Sequence, residues 1–242
     1  MKNLKNLLVL LVGILTMSLT FASCNTDGED YSISPEVQRQ YQSQMAGMYS
    51  GQVIVQQANE NATDWVNVDS IRSTWSVSND STIILSRFPM NKLDSAINVP
   101  SGETSTEAIK LRELRTAISE LGDESIRCTY FIPNTQCVMG TGYQFVVNPL
   151  CLTSDYSQIL SDLRIGLKNN GFFIKKKLTY DGETHTVWFV FYLNYYGGAF
   201  SSSKFAYQMV LASIYISDDS VPTDYNSSFS SRFFRPVRFV CR

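Results

Sequence analysis

Histidine occurs once in this sequence, at His185, and that scarcity removes a good deal of chemistry. A hydrolytic triad needs a base held between a nucleophile and an orienting acid. His185 follows Asp181-Gly182-Glu183-Thr184, whose Asp-Gly pair marks a hairpin tip. It is therefore expected as an exposed turn residue, not as a base in an enclosed site. Metal sites built on several histidines are excluded. No cysteine pair has the C-x-x-C spacing of a zinc or redox site, and no Asp-rich calcium loop is present. Gly140-Thr141-Gly142 precedes a strand, whereas a phosphate cradle leads into a helix N-terminus. No metal and no cofactor are expected. An excess of positive charge is missing as well: 20 Lys and Arg against 22 Asp and Glu leave a net charge of −2, without the footprint of a nucleic-acid binder. Lys175-Lys176-Lys177 is the one basic cluster, and it reads as a solvated strand face with one lysine laid along apolar surface.

The apolar block Leu7–Leu15 falls short of the about twenty residues that span a bilayer. It follows Lys2 and Lys5 and leads to Leu19-Thr20-Phe21-Ala22-Ser23-Cys24. A positive start, a short apolar run and small residues make a secretory signal, set apart from the fold. Cysteine directly after Ala-Ser resembles a bacterial lipobox. That resemblance implies that Cys24 becomes the mature N-terminus and carries the lipid that holds the protein to a membrane. Asn25-Thr26-Asp27-Gly28-Glu29-Asp30 is polar and acidic, a solvated tether. An acidic run in this place resembles the surface-export signal of Bacteroidota lipoproteins, which implies an outer-membrane protein facing the cell surface. The expected organisation is a signal at 1–23, the lipidated cysteine and tether at 24–44, and one β-rich domain at 45–242.

What the chain does contain is aromatic and β-branched. Aromatics make up 12% of it, with 13 Tyr and 14 Phe, a richness that favours strands. Gln52–Gln56 reads as a first strand behind Gly47–Gly51, and Ser34-Pro35-Glu36 is able to start a short helix. Ile71, Trp75 and Val77 share one face of a second strand, Ser78–Ser81 turns the chain, and Thr82–Leu85 pairs back before Phe88-Pro89-Met90 breaks the strand. A helical turn follows at Met90–Ala96. Thr104-x-x-Glu107 predicts a capping box for a helix with the stripe Leu111, Leu114, Ile118 and Leu121, ended by Gly122. Ile126, Cys128, Tyr130 and Ile132 alternate, and Tyr143–Val147 is a further strand. Residues 150–170 suit either a helix or a strand. Ile174 to Tyr180 alternates up to Asp181-Gly182, Val187–Leu193 is apolar on both faces, Tyr195-Tyr196-Gly197-Gly198 turns the chain, and Phe205–Ile216 and Val237–Cys241 close it. The expectation is an antiparallel β-sandwich or barrel of about ten strands with one clear amphipathic helix packed on it. Apart from Cys24 there are four cysteines. Cys128 with Cys137 and Cys151 with Cys241 is one of three possible pairings, and buried thiols are the alternative.

Three stretches carry a family resemblance: Gly47-Met48-Tyr49-Ser50-Gly51, the run from Asp80-Ser81-Thr82-Ile83 to Phe88-Pro89-Met90, and the Gly-rich segment before Phe205–Ile216. Over most of residues 45–217 the chain resembles a lipoprotein family of gut Bacteroidota known as a domain of unknown function. The Gly-x-Tyr-x-Gly opening is also similar to calycin-type barrels of the same bacteria, which implies a ligand-holding cup; the long helix departs from a simple calycin. These bacteria O-glycosylate exported proteins at Asp-Ser or Asp-Thr sites, and Ser81 and Ser220 match that pattern in loops. Candidate binding residues are Tyr195 and Tyr196. A sugar-stacking platform would draw on these and on Trp65, Trp75 and Trp188, although aromatics in a β-protein are more often core. The expected function is a non-enzymatic cell-envelope module that binds a ligand or a partner protein. The alternatives are a glycan-processing enzyme using two of Asp155, Asp162, Asp181, Glu183, Asp218 and Asp219, and a structural subunit with an unpaired edge at Val237–Cys241.

Overall fold

The computed structural model describes residues 34–61, 63–132, 138–139, 142–149, 171–192, 194–201, 203–217 and 227–242. Helix α1 (Pro35–Met45) opens them. Ser34 Oγ accepts from the Val37 N–H at 3.3 Å and Pro35 occupies the first turn, a start that suits proline's fixed φ. Tyr41 and Met45 join the core, so the folded part reaches back into the stretch expected as tether. The helix start read at Ser34-Pro35-Glu36 is thus in place, and two α-helices stand among the described residues.

The strands are β1 (Gly47–Ala58), β2 (Trp65–Val77), β3 (Thr82–Pro89), β4 (Asp123–Phe131), β5 (Val138–Met139), β6 (Gly142–Pro149), β7 (Gly171–Tyr180), β8 (Glu183–Tyr192), β9 (Asn194–Ser201), β10 (Lys204–Ile216) and β11 (Val237–Cys241). A 3₁₀ helix (Met90–Ala96) and α2 (Thr106–Ser119) stand between β3 and β4. Every pairing is antiparallel. The sheet runs β11-β1-β2-β3-β4-β6-β9-β10, and β10 pairs again with β11, so the sheet curls back on itself. β9 and β8 follow one another along the other side of β10, at Lys204–Tyr207 and Val210–Ile216, and β7 flanks β8. No ladder joins β4 to β7 among the described residues. There the curled sheet is a half-barrel, crossed by a Lys176–Glu124 ion pair at 2.5 Å.

Two short loops set the register where the sequence says they should. Asp181 and Gly182 both have positive φ, at 53° and 75°, the geometry of the tight hairpin turn whose twist matches its strands. Ser78–Ser81 links β2 to β3 with Ser81 at φ 68°.

The strand β3 stops at Pro89, within the expected Phe88-Pro89-Met90 break; Pro89 is still paired with Asp123, where β3 has already parted from β2 and a missing donor is tolerated. Three local expectations are corrected. Tyr195–Gly198 is not a turn: it lies within β9, and Gly198 is placed between Phe145 and Tyr207. Glycine in a strand allows that close approach, and the chain reverses later, at Ser203 with φ 77°. The cap of α2 is Ser105, whose Oγ accepts from the Ala108 N–H at 3.3 Å; Glu107 instead accepts from the Ser230 N–H at 2.7 Å. Gly122 has no left-handed φ, and Glu120 ends α2 in a helical conformation.

Candidate functional site

Among the described residues, large side chains of the sheet itself are buried in one core cluster. Near α1, Tyr49, Trp75, Tyr130, Phe205 and Tyr207 form one aromatic group: Tyr49 to Phe205 is 5.4 Å between centroids, Trp75 to Tyr207 6.0 Å and Tyr130 to Phe205 6.2 Å. The Trp75 indole N–H donates to the Phe205 carbonyl at 3.2 Å, and the Tyr49 hydroxyl donates to the Met45 carbonyl at 2.6 Å, which ties α1 down over this end. At the other end Phe88, Phe191 and Phe239 pack together, with Phe88 to Phe239 at 4.6 Å. Met90, Leu93 and Ala96 of the 3₁₀ helix and Ala108, Leu111, Leu114 and Ile118 of α2 belong to the same core. Helices therefore stand over both ends, and the expected apolar stripe of α2 packs as core.

One polar group in the core is the Tyr207 hydroxyl. Apart from the Cys241 sulfur, a weak acceptor, it has no partner among the described residues. Burial holds its proton well above the usual phenol range, and the neighbouring Cys241 and Cys128 act in the same direction. Burial likewise pushes the Cys241 thiol up to about 12. Cys128 and Cys241 are thus buried on the inside of the sheet, while Cys137 and Cys151 lie outside the described residues. Among the described residues no three His, Cys, Asp or Glu side chains come together where they could hold a metal ion.

The other expected positions scatter. Tyr195 and Tyr196 are in β9, and their side chains are outside the description. Trp75 and Trp188 are fully buried and Trp65 is half-buried, so the three do not form a common platform. His185 is half-buried and its ring lies tilted against Tyr180 at 4.4 Å, not exposed at the turn, and its buried Nε2 has no partner among the described residues. The three lysines divide their work: Lys175 lies over the Trp188 ring at 4.8 Å, Lys176 pairs with Glu124, and Lys177 is exposed. Ser81 is half-buried and its Oγ accepts from Gln42 Nε2 at 2.7 Å. Ser220, Asp155, Asp162, Asp218 and Asp219 lie outside the described residues. Asp181 forms an ion pair with Lys110 of α2. The Val237–Cys241 edge is not open, because β11 is paired on both sides, with β1 and with β10.

One cluster escaped the sequence reading. On the outer face, the Arg238 guanidinium lies over the Trp65 ring at 4.5 Å and donates to Gln56 Oε1 at 2.7 Å, while Gln56 Nε2 donates to Asn67 Oδ1 at 2.7 Å. A ring, a cation and two amides converge there because the register sets Gln56 opposite both Asn67 and Arg238. The only signal in the sequence was the polar residue at alternate strand positions; the partner 182 residues away had none.

A family model matches residues 44–216, under the description Domain of unknown function (DUF4840). No curated protein and no solved structure matches the chain.

Proposed function

The chain belongs to the DUF4840 family, and we propose that it is an exported, non-enzymatic binding module, anchored in the outer membrane by lipid on Cys24 and facing the cell surface, that meets its ligand or protein partner with its outer surface. The observation that carries this reading is the filled interior. A calycin-like cup needs an open cavity for its ligand, whereas here Trp75, Phe88, Phe191, Phe205, Tyr207 and Phe239 take up the inside and α1 and α2 stand over the ends. The curled antiparallel sheet, with β11 paired to both β1 and β10, supports a calycin-like architecture without the cup. Recognition is then left to outer-face groups such as the half-buried Trp65 and Arg238 with the exposed Asn67. Glycan processing has less support, since Asp181 is engaged by Lys110 at a hairpin tip. An O-glycan on Ser81 would displace its bond from Gln42.

Two measurements test the reading separately. Cells fed radiolabelled palmitate should label the wild-type protein and not a Cys24→Ser variant; equal labelling, or none in either, overturns the anchor. Titration with a long-chain fatty acid should give no saturable heat. Stoichiometric uptake would restore the cup.

A further inference from the structure

Among the described residues, most arginines reach a carboxylate, carbonyl or hydroxyl oxygen, as Arg87 does at Asp123, Arg112 at Pro100 and Arg127 at Thr82. Three differ. The Arg72 and Arg242 side chains have no acceptor among the described residues, and Arg238 meets only the amide oxygen of Gln56.

These three share one face of the sheet. Gln52 of β1 stands opposite Arg72 of β2 and, through backbone bonds in both directions, opposite Arg242; Gln56 stands opposite Asn67 and Arg238. Val53 and Val55 of β1 and Val237, Phe239 and Cys241 of β11 are completely buried in the core. The alternate residues, with their partners across the ladder, therefore point outward. Opposing charge is scarce there. β1 and β11 contain no acidic residue, and the one acid of β2, Asp69, pairs with Lys92 at 2.5 Å. Asp64, just before β2, acts on Arg238 without an ion pair, and its carboxylate accepts from the Trp65 N–H. A chain of net charge −2 thus carries a concentrated positive face.

Arg238 shows the chemistry on offer. Its guanidinium lies over the Trp65 ring and its Nε donates to Gln56, which leaves the Nη donors without an acceptor among the described residues. A stacked guanidinium keeps its in-plane donors, and a pair of them fits a carboxylate. The exposed amides of Gln52 and Asn67 can donate to and accept from hydroxyls, and the half-buried Trp65 keeps some ring surface for stacking. Arg238 and Arg242 are separated by about 13 Å along the strand, and Arg72 lies two strands, about 10 Å, from Arg242. One small anion does not reach all three; a polymer lying on the sheet does.

We propose that the outer face of β2, β1 and β11 binds an acidic polysaccharide, a chain of sugar rings bearing carboxylates. Arg72, Arg238 and Arg242 take the carboxylates, and Gln52, Asn67 and Trp65 take hydroxyls and a ring face. This rests on the reading that recognition lies on the outer surface.

The test is binding of the whole folded protein to immobilised polygalacturonate. The wild type should bind saturably, and more weakly as salt rises. The double variant Arg72→Gln with Arg242→Gln changes two exposed side chains and should keep the wild-type urea midpoint. Its affinity should fall at least about tenfold, as expected for lost charge-assisted hydrogen bonds. Arg39→Gln with Lys177→Gln removes the same charge from exposed positions elsewhere and should bind as the wild type does. No binding by the wild type, an equal affinity of the two double variants, or wild-type binding to polyphosphate as tight as to polygalacturonate overturns the proposal. None of these results decides the outer-surface reading, which the fatty-acid titration tests on its own.

Discussion

The backbones of Gln52 and Arg242 are hydrogen-bonded in both directions: the Gln52 N–H donates to the Arg242 carbonyl at 2.9 Å, and the Arg242 N–H donates to the Gln52 carbonyl at 3.0 Å. This pair extends the β1–β11 ladder one residue past Cys241 and brings the last residue beside Gly51. Gly51→Ala should therefore destabilise the fold by about 1–3 kcal/mol, the usual cost of forcing an atom into a packed site. Gly102→Ala is the control, because a Cβ there meets nothing within 4 Å. Urea unfolding should show a lower midpoint for the first and an unchanged one for the second; equal midpoints would contradict the close approach.

A second prediction separates two adjacent residues. Ser105→Ala removes the hydroxyl that caps α2 and should cost about 1 kcal/mol. Thr104→Ala should cost little, since the hydroxyl that accepts from the Ala108 N–H is that of Ser105. Thermal unfolding of both variants decides it, and a larger loss for Thr104 would return the cap to the position that the sequence pattern favours.

The interior proton donors set an alkaline limit. An unfolded Cys241 thiol ionises near its ordinary value of 9.0, whereas the folded one holds its proton to about 12 because burial disfavours the thiolate. The folded state thus binds this proton more tightly. Its contribution is complete below pH 9 and falls as the pH rises toward 12. Tyr207, raised by burial, adds to the same limb. Tyr207→Phe should flatten the loss of stability between pH 9 and 12. At neutral pH it should change stability by less than about 1 kcal/mol, because the hydroxyl it removes has only a sulfur for company. An unchanged alkaline slope would argue against Tyr207 as a contributor.

Phe239→Ala should be the costliest of these changes, about 3–5 kcal/mol, as expected for a buried phenylalanine replaced by a small residue. Phe239 is completely buried and lies 4.6 Å from Phe88 between ring centroids. A variant that unfolds at the wild-type denaturant midpoint would mean that β11 is not part of the stable fold.

Much of this architecture was legible because it is local. The Asp181-Gly182 hairpin, the alternation of Ile126, Cys128 and Tyr130, the 3₁₀ turn at Met90–Ala96 and the doubly covered β8 all follow from neighbouring residues. The misreadings arise where distant chain decides. Gly197 and Gly198 look like a turn until β6 and β10 are placed on either side of them. His185 looks exposed until Tyr180 packs against it. The Trp65 and Arg238 cluster was out of reach for the same reason, since sequence alone does not fix the register of β11 against β1.

The position of β11 also sets a schedule for folding. β1 and β11 are neighbours although Gln56 and Arg238 stand 182 residues apart, so the sheet cannot be completed until β11 has been synthesised and is free to move. Contacts between such distant parts of a chain form slowly, and until they form β1 and β10 keep exposed edges that invite aggregation. A ribosome or translocation pore holding back β11 would leave the curled sheet without the strand that pairs with both β1 and β10.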